Sequence, residues 1–296
     1  MIWAVSIPAS EAADAPRGQV DWVGGYVRGV GQGTAKPSGN KVRDRLMAIR
    51  AAEVLAQRAL AETIHGVRVD GSTAMGDAMK EYLLESRVQG IIRGAQKVRE
   101  EVAWDGEIPA ATVELRICLV ADAPECRPGA SLLEAFPVER RQEPAYVPAA
   151  YFEAGPAAGA ASPASGAGGT GSAAVSYDRA RPVTGLVLKI EGFRFERELF
   201  PVVATRGSEG KLLTVFSAKR VDPAVIRAHG VARYADTVDQ ALKNPHVGDN
   251  PLIVGVSDVT RDNLLVLGPE AAKAVRETTR YGNDYLAAAK VVIAGR

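Results

Sequence analysis

Few residues in this sequence have the type and spacing to do chemistry. The histidines are His65, His229 and His246. None is spaced with a second His or Cys for zinc, and H-E-x-x-H is absent. The two cysteines, Cys118 and Cys126, are eight positions apart and do not make a metal site. In an exported protein they would close one small loop as a disulfide; in the cytosol they would be unpaired thiols. Gly29-x-Gly31-x-Gly33 has the look of a phosphate-cradling loop, but a dinucleotide fingerprint opens its helix at the third glycine. Here Pro37 and Asn40 intervene, so the glycines read as a turning strand-to-helix connection. Ser38-Gly39-Asn40-Lys41 matches an S-x-x-K string without the S-D-N and K-T-G partners of serine acylases, and Ser38 and Asn40 read as helix capping. Glu100-Glu101 and Asp105-x-Glu107 lie on or beside an expected hairpin, where solvated charge is ordinary. Gly248-Asp249-Asn250-Pro251-Leu252 reads as a turn leading into a strand, with ligand contact at Asp249 and Asn250 as the alternative. No catalytic, cofactor or metal site is expected.

Composition narrows the partners. The 296 residues carry 36 Lys and Arg against 35 Asp and Glu, a net charge of +1. Phosphate binding requires a basic surplus, so nucleic acid is not expected as the main partner. The hydrophobic fraction is 47%, enough for globular cores, but the aromatic fraction is 6%, so much of the apolar content is Ala and Val and the cores are modest. No run reaches the ~18 apolar residues of a membrane helix. Met1 to Ala9 and Ala12-Ala13-Asp14-Ala15 read either as the tail of a secretory leader near its cleavage region or as an unstructured N-terminus.

The elements that would position these residues follow from periodicity. Ala154 to Val175 has no charge and is almost wholly small residues, the composition of a flexible tether. It divides the chain into an N-terminal segment 1–18, a domain over 19–125, a linker over 126–179 and a second domain over 180–296. In the first domain, a strand over Val20–Val30 precedes a helix from Lys41 to Ile64 capped by Asn40. Val42, Leu46, Ile49, Ala52, Ala56, Leu60 and Ile64 make its apolar stripe. Lys41, Arg43, Arg45 and Arg50, interleaved with Asp44 and Glu53, read as a solvated face, with an anionic surface or acidic neighbour as the alternative partner. A short strand is expected at Val67–Val69 and a helix over Thr73–Ser86, with Met75, Met79, Tyr82 and Leu83 on one face. Val98, Val102 and Trp104 lead to an Asp105-Gly106 hairpin turn. Val113, Leu115, Ile117 and Leu119 then alternate with polar residues, as in a sheet wet on one face. The second domain should hold strands near Leu186–Ile190, Phe200–Ala204, Lys211–Phe216, Pro251–Val256, Leu264–Leu267 and Val291–Ile293. Helices are expected near Thr237–Leu242 and from Gly268-Pro269 to Thr279. The fold class is α+β: two small domains, each an antiparallel or mixed sheet with helices packed on one face, joined by the linker.

A family pattern emerges in the first domain. Val30-Gly31-Gln32-Gly33 precedes the Ala-rich run Met47-Ala48-Ile49-Arg50-Ala51-Ala52-Glu53-Val54-Leu55-Ala56, which continues through Leu60-Ala61-Glu62-Thr63-Ile64-His65-Gly66-Val67-Arg68-Val69 to a hairpin. This resembles the LPP-type envelope lipoproteins and the related flagellar accessory proteins FlgP and, through its N-terminal domain, FlgT. Thr184-Gly185-Leu186-Val187-Leu188 and Gly248-Asp249-Asn250-Pro251-Leu252-Ile253-Val254 resemble the tail of longer members. The resemblance implies an exported, non-enzymatic protein of a Gram-negative envelope, in the periplasm or at the outer membrane, that assembles with like subunits into rings or discs. Its partners would be copies of itself and other envelope or flagellar proteins. No cysteine lies near the N-terminus, so no lipidation site is visible. Leu46, Ile49, Ala52, Ala56 and Leu60 are the expected self-association face. The alternative is a periplasmic small-ligand-binding module using Asp249 and Asn250.

Overall fold

The computed structural model describes residues 17–126, 131–136, 175–207, 210–279 and 284–295. The expected leader and the core of the expected tether lie outside the described residues. The chain divides near Phe136 into two units, each built around its own sheet. The α+β class with two sheet-bearing domains is the observed one.

The first unit contains β1 (Gly18–Asp21), β2 (Tyr26–Thr34), α1 (Lys41–His65), α2 (Met75–Ala78), α3 (Tyr82–Arg93), β3 (Gln96–Asp105) and β4 (Ile108–Cys118). Its sheet runs β1-β2-β4-β3, antiparallel throughout. Alternation along β4 does what the pattern requires. Val113, Leu115 and Ile117 are buried, while Thr112, Glu114 and Arg116 face the wet side. The β3–β4 hairpin pairs Asp105 with Ile108, so Gly106 and Glu107 form the loop, and Gly106 takes φ +59° as such tight turns demand.

The expected turn at Gly29, Gly31 and Gly33 is not a turn. All three lie within β2 on its inner side, in phase with buried Val27. The reason is tertiary. A Cβ on Gly29 would come 2.6 Å from the Ala56 carbonyl oxygen, and one on Gly33 2.6 Å from that of Ala48. On Gly31 it would strike the Ala52 carbonyl and the Ala56 amide nitrogen. Glycine in a strand commonly marks such a close approach of another backbone. Ala48, Ala52, Ala56 and Ala59 supply the matching shallow face of α1, flanked by buried Ile49, Leu60 and Ile64. Helix α1 therefore lies against β2 backbone to backbone.

The start of α1 is tied twice. Asn40 Oδ1 accepts from the amides of Val42 and Arg43, both at 3.1 Å. The Ser38 hydroxyl donates to Asp44 at 2.6 Å and the Ser38 amide donates to it at 2.9 Å. Those two bonds favour the carboxylate and hold Asp44 below its ordinary value.

Other boundaries move. The expected strand over Val20–Val30 is interrupted by a turn after Asp21, where Asp21 accepts from the Gly24 amide at 2.7 Å. Val67–Val69 forms no strand, only a single bridge between Arg68 and Ala74. The expected helix over Thr73–Ser86 is broken into α2 and α3. The break resets the helical phase: Met75 and Met79 are buried, Tyr82 and Leu83 are exposed, and Leu84 and Val88 take the inner face of α3. The first domain also runs past residue 125. Leu132–Ala135 forms a 3-10 turn whose Leu132, Leu133 and Ala135 are buried, and Arg87 donates to the Ala135 carbonyl at 3.2 Å.

The second unit contains β5 (Gly185–Lys189), β6 (Val203–Arg206), β7 (Leu212–Phe216), the start of α4 (Pro223–His229, of which Arg227–His229 group with the first unit), β8 (Arg233–Ala235), α5 (Val238–Leu242), β9 (Pro251–Val259), β10 (Leu265–Leu267), α6 (Pro269–Thr278) and β11 (Val291–Ala294). Strand order is β7-β6-β10-β9-β5-β11-β8. The run β9-β5-β11-β8 is parallel, whereas β10 meets β9 and β7 meets β6 antiparallel. Leu186, Val187 and Leu188 are all buried, as are Val291, Val292 and Ile293. Parallel strands covered on both sides read as continuous apolar runs rather than alternating ones. Val187, Ala235, Val292 and Ala294 pack with Ala241 of α5 and Val247 on one side of the sheet. Strand β8 and helix α4 were not legible in the sequence, because Arg233–Ala235 is too short to show a period.

Three substitutions test the account of α1, one of them a control in α3. Gly31→Ala should cost about 1–3 kcal/mol or more, the range for forced overpacking, and lower the melting temperature. Gly90→Ala in α3, where a Cβ meets nothing within 4 Å, should be neutral or stabilising by about 0.5–1 kcal/mol. Ser38→Ala should move the Asp44 titration, read by NMR, up toward the ordinary 3.8. Because folding lowers this pKa, its stabilisation is present above the unfolded value and lost as pH falls through the folded one. The stability gap between wild type and Ser38→Ala should therefore close on acidification.

Candidate functional site

Cys118 and Cys126 form a disulfide with Cα atoms 6.0 Å apart. It joins the end of β4 to the loop that follows. That loop carries Glu125, whose carboxylate accepts from Arg116 at 2.8 Å while its carbonyl accepts from the same guanidinium at 3.2 Å. The guanidinium lies 4.0 Å from the Tyr26 ring centre, a cation–π contact between neighbouring strands. Burial is the largest cause raising the Tyr26 pKa, followed by its hydrogen bond to Asp21. With its sulfur bonded to Cys126, Cys118 is not available as a nucleophile. Ser131 is fully buried, and among the described residues its hydroxyl meets no hydrogen-bond partner. Among the described residues, no three His, Cys, Asp or Glu side chains gather as a metal site.

The expected self-association face is corrected. Ile49, Ala52, Ala56 and Leu60 are buried against the sheet of their own domain, and only Leu46, 61% exposed, remains accessible. The small residues of the stripe allow close approach to a sheet or a second helix, and what they approach is the sheet, at Gly29, Gly31 and Gly33.

Asp249 and Asn250 part company. Asp249 is exposed and pairs with Arg181. Asn250 is buried, and its side chain is occupied inside the fold. Its Oδ1 accepts from the Asp178 amide at 3.1 Å, and its Nδ2 donates to the carbonyls of Asp178 and Arg181 at 3.0 Å and of Pro182 at 3.2 Å. It is a clasp on the segment entering β5. That segment already bridges Ser176 to Ile253, so the second unit begins before residue 180. Asn263, at φ +61°, does similar work by donating to the Glu196 carbonyl at 2.7 Å and to the buried Glu198 carboxylate at 2.9 Å. Tyr234 donates to the Glu198 carbonyl at 2.7 Å, and burial pushes its phenol pKa strongly upward.

A solvent-open groove lies in the first unit, between the first turns of α1 and strand β3. Lys41, Val42, Arg45, Leu46, Ile49, Glu100 and Trp104 line its 390 Å³. Lys41 Nζ lies 5.8 Å from the Trp104 ring centre. The groove exists because α1 is drawn onto β2 and rests mainly on β2 and β4, leaving the inner side of β3 bare. Register places Glu100, Val102 and Trp104 on that side, opposite Val113, Ala111 and Pro109. At the far end, Lys97 bridges Glu53 at 2.6 Å and Glu100 at 2.7 Å. Hydrogen bonding to Glu100 and then Glu53 raises the Lys97 pKa, and that to Lys97 lowers the Glu53 pKa. Among the described residues strand β3 pairs with β4 alone, so no described strand lies along its other edge. The sequence signal was the row Val42-Leu46 beside Trp104, but nothing in the periodicity separates exposed Val42 and Leu46 from buried Ile49.

Three further apolar side chains of α1 are exposed outside its buried stripe. Met47, Val54 and Leu55 are 58%, 50% and 41% exposed. Among the described residues no helix is long and apolar enough to cross a membrane.

Residues 185–295 match the family model described as Treponema pallidum Tp0624, second domain. The match runs from the first residue of β5 to just beyond β11 and covers little more than a third of the chain. No curated protein sequence matches the chain.

The disulfide makes a direct prediction. Closing so short a loop contributes about 2–3 kcal/mol by chain-entropy arguments. Urea unfolding of the Cys118→Ser/Cys126→Ser variant should show a loss of that order, and reductant should weaken wild type but leave the variant unchanged.

Proposed function

We propose that this protein is a non-enzymatic assembly component of a bacterial cell envelope, self-associating through its first domain. The observation that carries the reading is the exposed apolar set on α1. Met47, Val54 and Leu55 recur at helical spacing on a surface where a solitary domain normally places charge. This set replaces the buried stripe as the association face. Like subunits meeting through it head to tail would close into a ring where the rotation permits.

Two further features support the reading. The Cys118–Cys126 disulfide suits an oxidising compartment, in keeping with export to the periplasm or the outer-membrane surface. The resemblance of the first domain to the LPP-type lipoproteins and to FlgP and FlgT points to the same place. The second domain's likeness to the second domain of Treponema pallidum Tp0624 is compatible with a chain built from separable modules, the second reaching another layer or partner.

Sedimentation velocity of the full chain should reveal concentration-dependent oligomers. Val54→Asp/Leu55→Asp should reduce them to monomer with the circular-dichroism spectrum unchanged, because both side chains are already exposed. Fractionation of a tagged protein in its own host should recover it with the envelope. Cytosolic recovery as a strict monomer would overturn the proposal.

A further inference from the structure

We propose that the groove between α1 and β3 docks an extended, acidic and apolar segment of a partner polypeptide, which adds as a further strand to the edge of β3 away from β4, beside Glu100–Trp104. This goes beyond self-association and uses a different face of α1.

The edge supplies the backbone part of the recognition. An incoming strand would satisfy outward-pointing amide and carbonyl groups along β3, the mode by which sheets capture extended peptides. Every second side chain of the added strand would then point to the inner side of the sheet, next to Glu100, Val102 and Trp104. That is where the glycine-lined β2 has drawn α1 away and left room. Exposed Val42, Leu46 and Trp104 present apolar surface there over buried Ile49, and the groove is open to solvent rather than closed round a small molecule.

Charge decides the chemistry of the partner. Glu100, which lines the groove, and Glu53 share Lys97, and Glu53 also pairs with Arg50, so two cations answer two carboxylates. Among the described residues Lys41 and Arg45 pair with no carboxylate: Lys41 leans on the Trp104 ring, and Arg45 is exposed. The uncompensated charge is therefore positive and sits beside the apolar surface. A segment carrying aspartate or glutamate next to bulky apolar residues on one side of its strand complements both. On the opposite side of β3, Arg99 and Glu101 satisfy each other through two contacts of 2.7 Å and ask nothing of a partner.

Three fluorescein-labelled synthetic peptides of ten residues, each titrated with the full-length protein and read by fluorescence anisotropy, test this. The first has Thr at even positions and alternates Phe and Asp at odd positions. The second replaces Asp by Lys. The third is the first with alternate amides N-methylated, which removes strand donors. Only the first should saturate. Trp104→Ala and Arg45→Glu should each weaken it at least about tenfold, the scale of an aromatic or arginine anchor. Val54→Asp/Leu55→Asp should leave it unchanged, so failure of the self-association reading and failure of this one are separately visible. Recovery of the lysine peptide by Arg45→Glu would add support. Equal binding of all three peptides, no binding of the first, or indifference to Trp104→Ala would overturn the proposal. So would loss of the protein's own oligomers in Trp104→Ala, because the groove would then belong to a second copy.

Discussion

The contact on which the first domain depends is the backbone-to-backbone seating of α1 on β2. Three glycines on the inner side of one strand remove the Cβ atoms that would strike the helix backbone, and four alanines remove bulk from the helix. Close seating brings many small dispersion contacts within range at once and offsets the loss of large side chains in an aromatic-poor chain. It also costs flexibility of sequence, because a single methyl at Gly31 meets backbone that cannot rotate away.

The same seating has a consequence at the far side of the sheet. A helix pulled onto β2 and β4 cannot also cover β3, so Trp104 is left beside the exposed Val42 and Leu46 at the strand edge away from β4. Ion pairs keep that edge compatible with water. Lys97 joins Glu53 to Glu100, and Arg99 joins Glu101. Charged side chains on an edge strand discourage indiscriminate pairing without closing the edge to a segment of the right chemistry. The groove, the edge and the exposed apolar set on α1 are thus separate outcomes of one packing decision.

The two units solve burial differently. The first is antiparallel and wet on one side, so its strands alternate. The second places parallel strands at its centre, buried on both sides, and anchors its loops with polar side chains taken wholly inside, Asn250 and Asn263 among them. Asn250 looks like a ligand contact in a Gly-Asp-Asn-Pro string because both uses favour the same residue type. Only the positions of the carbonyls around it distinguish a clasp from a binding group.

The sequence by itself determined the elements with long or strict periods: α1 with its Asn40 cap, the alternating β4, the runs of β5 and β11, and the division into two domains. Local hydrogen bonding and side-chain period suffice for those, because each is written within one stretch of chain. It also brought Cys118 and Cys126 within reach of each other. Tertiary structure decided everything that depends on what lies opposite. It made Gly29, Gly31 and Gly33 a strand rather than a turn, because α1 presses there. It turned Ile49, Ala52, Ala56 and Leu60 into core rather than interface. It left Val42, Leu46 and Trp104 bare around a groove, because a helix can be drawn to one side of a sheet only at the expense of the other, and no pattern along the chain records which side that is.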